Sequence, residues 1–153
     1  MRHSVALGCA VVALAVLAPV SPAGATAAPK VMFTRVHFDS PGSDRGGNQS
    51  LNGEYAVIKN TTRSRINLEG WILRDANGFK YEFGPVALKA GKQLVIRSGQ
   101  GDDTGTTVYW NRRWYVWNND KDTATLYNVA RRKVDQCSWR VSASSGPDYT
   151  LCR

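Results

Sequence analysis

Beyond residue 30 the apolar side chains recur in short alternating runs, and no stretch keeps the roughly 3.6-residue spacing of an amphipathic helix. The runs are rich in aromatic and β-branched residues and are separated by Gly, Asn, Asp or Pro, which is the signature of β-strands and turns. "VMFTRVHFD" (31–39) is the first, followed by a polar Gly-rich loop at 40–53. "EYAVIKN" (54–60) is apolar on both faces through Tyr55, Ala56, Val57 and Ile58 and so predicts a central strand. "INLEGWILRD" (66–75) carries a strand that ends at a turn, where Asn77-Gly78 is a hairpin signal because both residues tolerate positive φ. "FKYEF" (79–83) then alternates, with Phe79, Tyr81 and Phe83 on one face. A turn at Ala90-Gly91 precedes a strand at 93–97, and 99–107 is a loop. "VYW", "YVW", "TATLYN" and "KVDQCSW" complete the series before an extended tail from 141. About eight short antiparallel strands with a turn signal roughly every ten residues predict an all-β, immunoglobulin-like β-sandwich.

Residues 1–28 follow another pattern. Arg2 precedes an apolar run from Val5 to Ala18, and Ala23-Gly24-Ala25 and Ala25-Thr26-Ala27 both offer A-x-A cleavage. This is the layout of a secretory signal peptide. The run is shorter than the roughly 20 residues of a spanning helix. Cys9 precedes most of it, which argues against a lipoprotein cleavage there. The expectation is a signal peptide at 1–28, one folded domain at 29–153, no transmembrane anchor after cleavage, and a secreted or cell-surface location.

Cleavage would remove only Arg2 among the charged side chains, leaving 19 bases against 12 acids, a net +7. A basic exported domain is drawn to polyanions, although a charge of this size also serves solubility. Two cysteines remain, Cys137 and Cys152. In an oxidising compartment they read as one disulfide tying the tail to the last strand, about 3 kcal/mol in the chain-entropy model for a loop of about 15 residues.

Candidate chemistry is sparse. His37 is the one histidine left after cleavage, and no G-x-S-x-G motif accompanies it. A zinc site lacks ligands beside it. Asp102-Asp103 falls in a loop composition. Asn118, Asp120 and Asp122 occupy the first, third and fifth places of a calcium loop, but the sixth is Thr123 rather than Gly and the twelfth Val129 rather than Glu. They read as a structural turn, with a weak cation site as the alternative. No cofactor, metal or catalytic set is expected. The binding candidates are Arg112, Arg113 and Trp114 within "VYWNRRWYVW", where rings and guanidiniums can meet bases and phosphates, and Arg131, Arg132 and Lys133 at a hairpin turn. Arg63, Arg65, Lys89 and Lys92 are further scattered bases. Asn48 and Asn60 begin glycosylation sequons.

Taken in order, "LNGEYAVIKNTTRSRINLEGWILRDANGFKYEF", "LKAGKQLVIRSGQG", "VYW", "WNNDKDTATLYN" and "VDQCSW" resemble a lamin-tail domain over about residues 31–139. The resemblance implies an immunoglobulin-like sandwich and a non-catalytic module that binds DNA or proteins. It places Tyr109 and Trp117 in the core. The resulting expectation is a secreted, non-enzymatic binding module for DNA or an anionic cell-envelope polymer. The alternative is a domain that holds an exported partner protein and whose charge is incidental.

Overall fold

The computed structural model describes residues 28–142 and 146–152. Its strands are β1 (Val31–His37), β2 (Tyr55–Asn60), β3 (Ile66–Asn67), β4 (Ile72–Arg74), β5 (Lys80–Glu82), β6 (Ala87–Leu88), β7 (Gln93–Arg97), β8 (Thr107–Tyr109), β9 (Lys121–Tyr127), β10 (Lys133–Arg140) and β11 (Tyr149–Leu151). One short helix, α1 (Asn48–Leu51), precedes β2. A five-stranded sheet ordered β11-β1-β2-β7-β8 faces a four-stranded sheet ordered β10-β9-β4-β5. The β3–β6 ribbon closes one end.

Alternation decides which side chains enter the space between the sheets. From the first sheet come Phe33, Val36, Ile58, Leu94 and Ile96; from the second, Leu73, Ala124 and Leu126. β2 is central, as its two-sided apolar run requires. Large rings extend the core toward one end. Phe38 stacks on Trp139 at 5.0 Å, Trp139 meets Trp117 edge-on at 5.8 Å, and Trp117 meets Trp110 at 5.6 Å. The indole nitrogens of Trp110 and Trp139 donate to the carbonyls of Lys80 and Asn118, so two of the three indoles join the core without an unpaired N–H.

The all-β sandwich is the expected architecture, but its details differ from the sequence reading. Among the described residues eleven strands replace about eight, because β3 and β6 are two-residue pairings that leave no periodic signal and the tail adds β11. β7 and β8 run parallel, an exception to the antiparallel pattern. Residues 115–117, read as a strand, are irregular. At the 75–79 turn Gly78 alone takes a positive φ, +100°, while the Asp75 carboxylate accepts the N–H groups of Gly78 and Phe79. Phe79 turns outward instead of sharing the buried face of Phe83.

The tail is the largest departure. It returns as β11, an edge strand pairing Tyr149 with His37 and Leu151 with Arg35. Cys137 lies in β10 of one sheet and Cys152 just beyond β11 of the other, so their disulfide staples the two layers. Replacing both cysteines by serine is expected to lower unfolding free energy by about 3 kcal/mol. Chemical denaturation of the oxidised chain and the double variant measures this; a difference under about 1 kcal/mol would mean the sandwich does not need the staple.

Candidate functional site

The six basic and aromatic candidates occupy two separate ends of the molecule. The loop 110–120 enters β9 at Lys121, and the β9–β10 turn leaves it at Tyr127. Seven residues of extended chain, roughly 20 Å, lie between. The neighbouring strand confirms the polarity. The Arg112 guanidinium carbon sits 4.2 Å from the ring centroid of Phe79, at the β4–β5 turn. Arg131 Nη1 donates to the Gly70 carbonyl, before the start of β4.

At the tryptophan-loop end the cations are partly committed. Arg112 is half-buried over Phe79 and its Nε lacks a partner. Trp114 is 59 % exposed, yet one edge lies against Gly46, where a Cβ would meet the ring at 2.7 Å. Gly46 also has φ +72°, so this packing demands glycine on two counts. Arg113 projects into solvent.

Two carboxylates organise this end, one of which sequence reading passed over. Glu54 is fully buried, and its Oε2 and Oε1 accept the backbone N–H groups of Val116 and Trp117 at 2.9 and 3.1 Å. Burial pushes its carboxyl up to about 8. Asp122 is also buried and accepts four donors: the N–H groups of Ala76, Asn118 and Thr123 and the Asn118 side-chain amide. Asp120 accepts its neighbour's N–H, that of Lys121. The Asn118–Asp122 stretch is thus a turn whose carboxylate lone pairs face N–H groups. Among the described residues no group of three or more His, Cys, Asp or Glu converges as a metal site.

The other acid and sequon candidates are equally engaged. Asp103 accepts the Tyr109 N–H and leaves Asp102 exposed beside it. His37 stacks between Tyr55 and Tyr149, and burial holds its pKa below the ordinary value. Asn60 has no exposed surface, and its amide donates to the Ser64 and Leu88 carbonyls, so its sequon presents no acceptor in the folded chain. The Asn48 side chain bonds the backbone of Gln100.

The opposite end gathers the bases that were scattered in sequence. In the β9–β10 turn the Arg131 N–H donates to the Asn128 carbonyl, and the Arg132 N–H to the Asn128 side chain. Arg131 takes φ +58°, a left-handed conformation that disfavours a Cβ. Val129 is 62 % exposed at the tip. Register places loops 61–65 and 89–92 at the same end. Val31 pairs with Asn60, the Asn60 N–H donates to the Lys92 carbonyl, and the Phe33 N–H donates to the Asp135 carboxylate of β10. Arg63, Arg65, Lys89, Lys92, Arg131, Arg132 and Lys133 are all exposed here, with Glu69, Glu82 and Asp103 as exposed acids near them. A cleft of about 700 Å³, lined in part by Arg65, Lys89 and Lys92, opens beside them.

A two-layer sandwich of this kind defines a domain of the immunoglobulin-like class. The model of the lamin tail domain family matches residues 24–140, and the chain belongs to that family. No curated protein matches it. The family is one of immunoglobulin-like binding and structural domains.

Glu54 makes stability depend on pH in a stated direction. Its carboxyl titrates near 4.5 when unfolded and about 8 when folded, so the folded chain holds the extra proton between these values. The contribution of Glu54 to stability is then full below pH about 4.5, falls as pH rises to about 8 and is flat above, by an amount on the order of a few kcal/mol. Glu54→Gln is expected to flatten that slope in denaturation curves taken from pH 5 to 8; an unchanged slope would contradict the assignment. Asp122→Ala is expected to lower stability by about 2 kcal/mol or more, while calcium leaves the wild-type melting temperature in place. A calcium-dependent rise lost in this variant would instead identify a cation site.

Proposed function

We propose that this chain is an exported, non-enzymatic binding module that recognises a linear polyanion, DNA or an anionic cell-envelope polymer, through the basic end of its sandwich. The observation that carries the reading is the convergence of Arg63, Arg65, Lys89, Lys92, Arg131, Arg132 and Lys133 on one end, from three loops distant in sequence. The acids at this end are Glu69 and Glu82, both exposed, Asp103, which lines the cleft with Arg65, Lys89 and Lys92, and Asp135, which accepts the Phe33 N–H, so seven bases meet four acids. Arg112, Arg113 and Trp114 belong to the other end and are left out of this contact. The left-handed Arg131 supports the reading, since glycine would relieve the backbone at that position. The disulfide suits an oxidising compartment, and no helix among the described residues is long and apolar enough to cross a membrane. The leader lies outside the described residues except for Ala28.

Arg131→Gly separates function from stability. Relief of a left-handed penalty of about 1–2 kcal/mol, offset in part by glycine's freedom in the unfolded chain, is expected to leave unfolding free energy unchanged or higher, while retention on duplex DNA or a phosphate-rich wall polymer weakens. The slope of log affinity against log salt is expected to flatten by about 1 for each cation removed. Arg132→Glu with Lys133→Glu should weaken binding further, and Arg112→Glu with Arg113→Glu should leave it near wild type. A salt-independent affinity, or greater sensitivity at the tryptophan loop, would refute the proposal.

A further inference from the structure

The outward face of the five-stranded sheet is a second surface, on the side of the sandwich and independent of the basic end. Register aligns one residue from every strand into a row: Tyr149, His37, Tyr55, Arg97 and Tyr109. The His37 ring lies 5.2 Å from Tyr55 and 6.0 Å from Tyr149, nearly parallel to both. The Arg97 guanidinium covers Tyr55 at 5.4 Å, and Arg35 covers Tyr149 at 4.7 Å. Arg97 is further held by donating to the Asn52 carbonyl. The next row is Leu151, Arg35, Val57, Val95 and Thr107, and beyond it Met32 pairs with Lys59 and Lys59 with Gln93.

Three properties decide what fits. First, the rings of the row stack on one another and under guanidiniums, so few faces remain for a base or sugar to stack upon. Second, the surface is rigid and mixes Tyr, Arg, Met and aliphatic side chains, the composition of a protein-interface core. Third, the three rows hold no carboxylate. With His37 neutral at pH 7, their charge is the positive charge of Arg35, Lys59 and Arg97. Asp39 and Asp148 stand at the margin near His37, and Asp103 at the β8 edge, where it accepts the Tyr109 N–H. A second copy of this chain would set like charges against each other across a two-fold contact. We infer that this face docks the acidic surface of a partner protein.

Five strands about 4.8 Å apart and up to seven residues long give roughly 500 Å², less than the roughly 800 Å² per partner of a standard interface. A groove of about 860 Å³, lined in part by Arg45, Gln49, Arg97 and Tyr109, continues the face and adds one more cation, so the contact is of the small size typical of transient complexes.

The full chain carrying a photoreactive residue in place of Tyr55, or of Asn77 in the β4–β5 turn as control, is irradiated in medium from the producing cells. Any adduct partner is identified, purified and titrated by calorimetry. The expected result is an acidic protein crosslinked from position 55 and not from 77, whose affinity falls roughly tenfold or more with Arg35→Glu. Lys59→Glu, which leaves the ring stack untouched, should weaken it at an unchanged melting temperature. Arg131→Gly should leave it intact, which separates this contact from polyanion binding. No adduct from position 55, the same adducts from both positions, or an affinity indifferent to both reversals overturns the inference. So does a 20-nucleotide oligothymidylate whose binding is abolished by Arg35→Glu, which would assign the face to nucleic acid.

Discussion

The fold depends on how residues 111–120 satisfy their backbone. This segment carries Val116 and Trp117 into the core, yet it belongs to neither sheet. Its buried N–H groups therefore have no ladder to join, and each would carry a desolvation penalty if left unpaired. Side-chain carboxylates take the place of a neighbouring strand. Glu54 accepts from Val116 and Trp117, and Asp122 accepts from Asn118 and, at the end of the neighbouring strand β4, from Ala76. The backbone of Glu54 is fixed in turn, its carbonyl accepting the Ser98 N–H and its N–H donating to Leu51. One buried acid thus joins α1, β2, the end of β7 and the tryptophan loop.

That arrangement bears on where binding can occur. Acids at the tryptophan-loop end include Glu54, Asp75 and Asp122, which are buried, and Asp44 and Asp120, which are exposed. Arg112 is drawn down onto Phe79. The opposite end needs little internal charge, because the two-residue β3–β6 ribbon and the Asn60 amide satisfy its backbone. Its bases are therefore free to face solvent. A positive field is strongest where cations from separate loops meet without intervening carboxylates.

Much of the fold was legible in alternation. "EYAVIKN" announced a central strand, and the two cysteines announced a bond. What was not legible depended on the third dimension. Arg112 and Arg131 read alike, as bases near rings or turns, and only the polarity of β9 sets them at opposite ends. Tyr55, His37 and Tyr149 stand far apart in the chain and form a row only through register. Glu54 read as an ordinary polar start to a strand, because nothing local marks a carboxylate whose partners lie about sixty residues on. The tail read as unpaired because "DYTL" is too short to show a period; β1 supplies the pairing that makes it a strand.

The two surfaces differ in the physics of what they can hold. The basic end is loops and long side chains, with Lys89, Lys92 and Lys133 on flexible stems. Such a surface suits a polymer of variable shape, and the proposed attraction would come from released counterions. The outward face of the five-stranded sheet is already ordered, since its guanidiniums are pinned over rings or to a carbonyl. Little conformational freedom remains there to be lost on contact, which favours a single complementary shape over a mobile chain. Under the two proposals, a polymer at one end and a protein along one side would not compete for the same surface. The Cys137–Cys152 staple fixes the relation of the two surfaces, because it ties β10, which leads from the basic turn, to the edge strand that carries Tyr149.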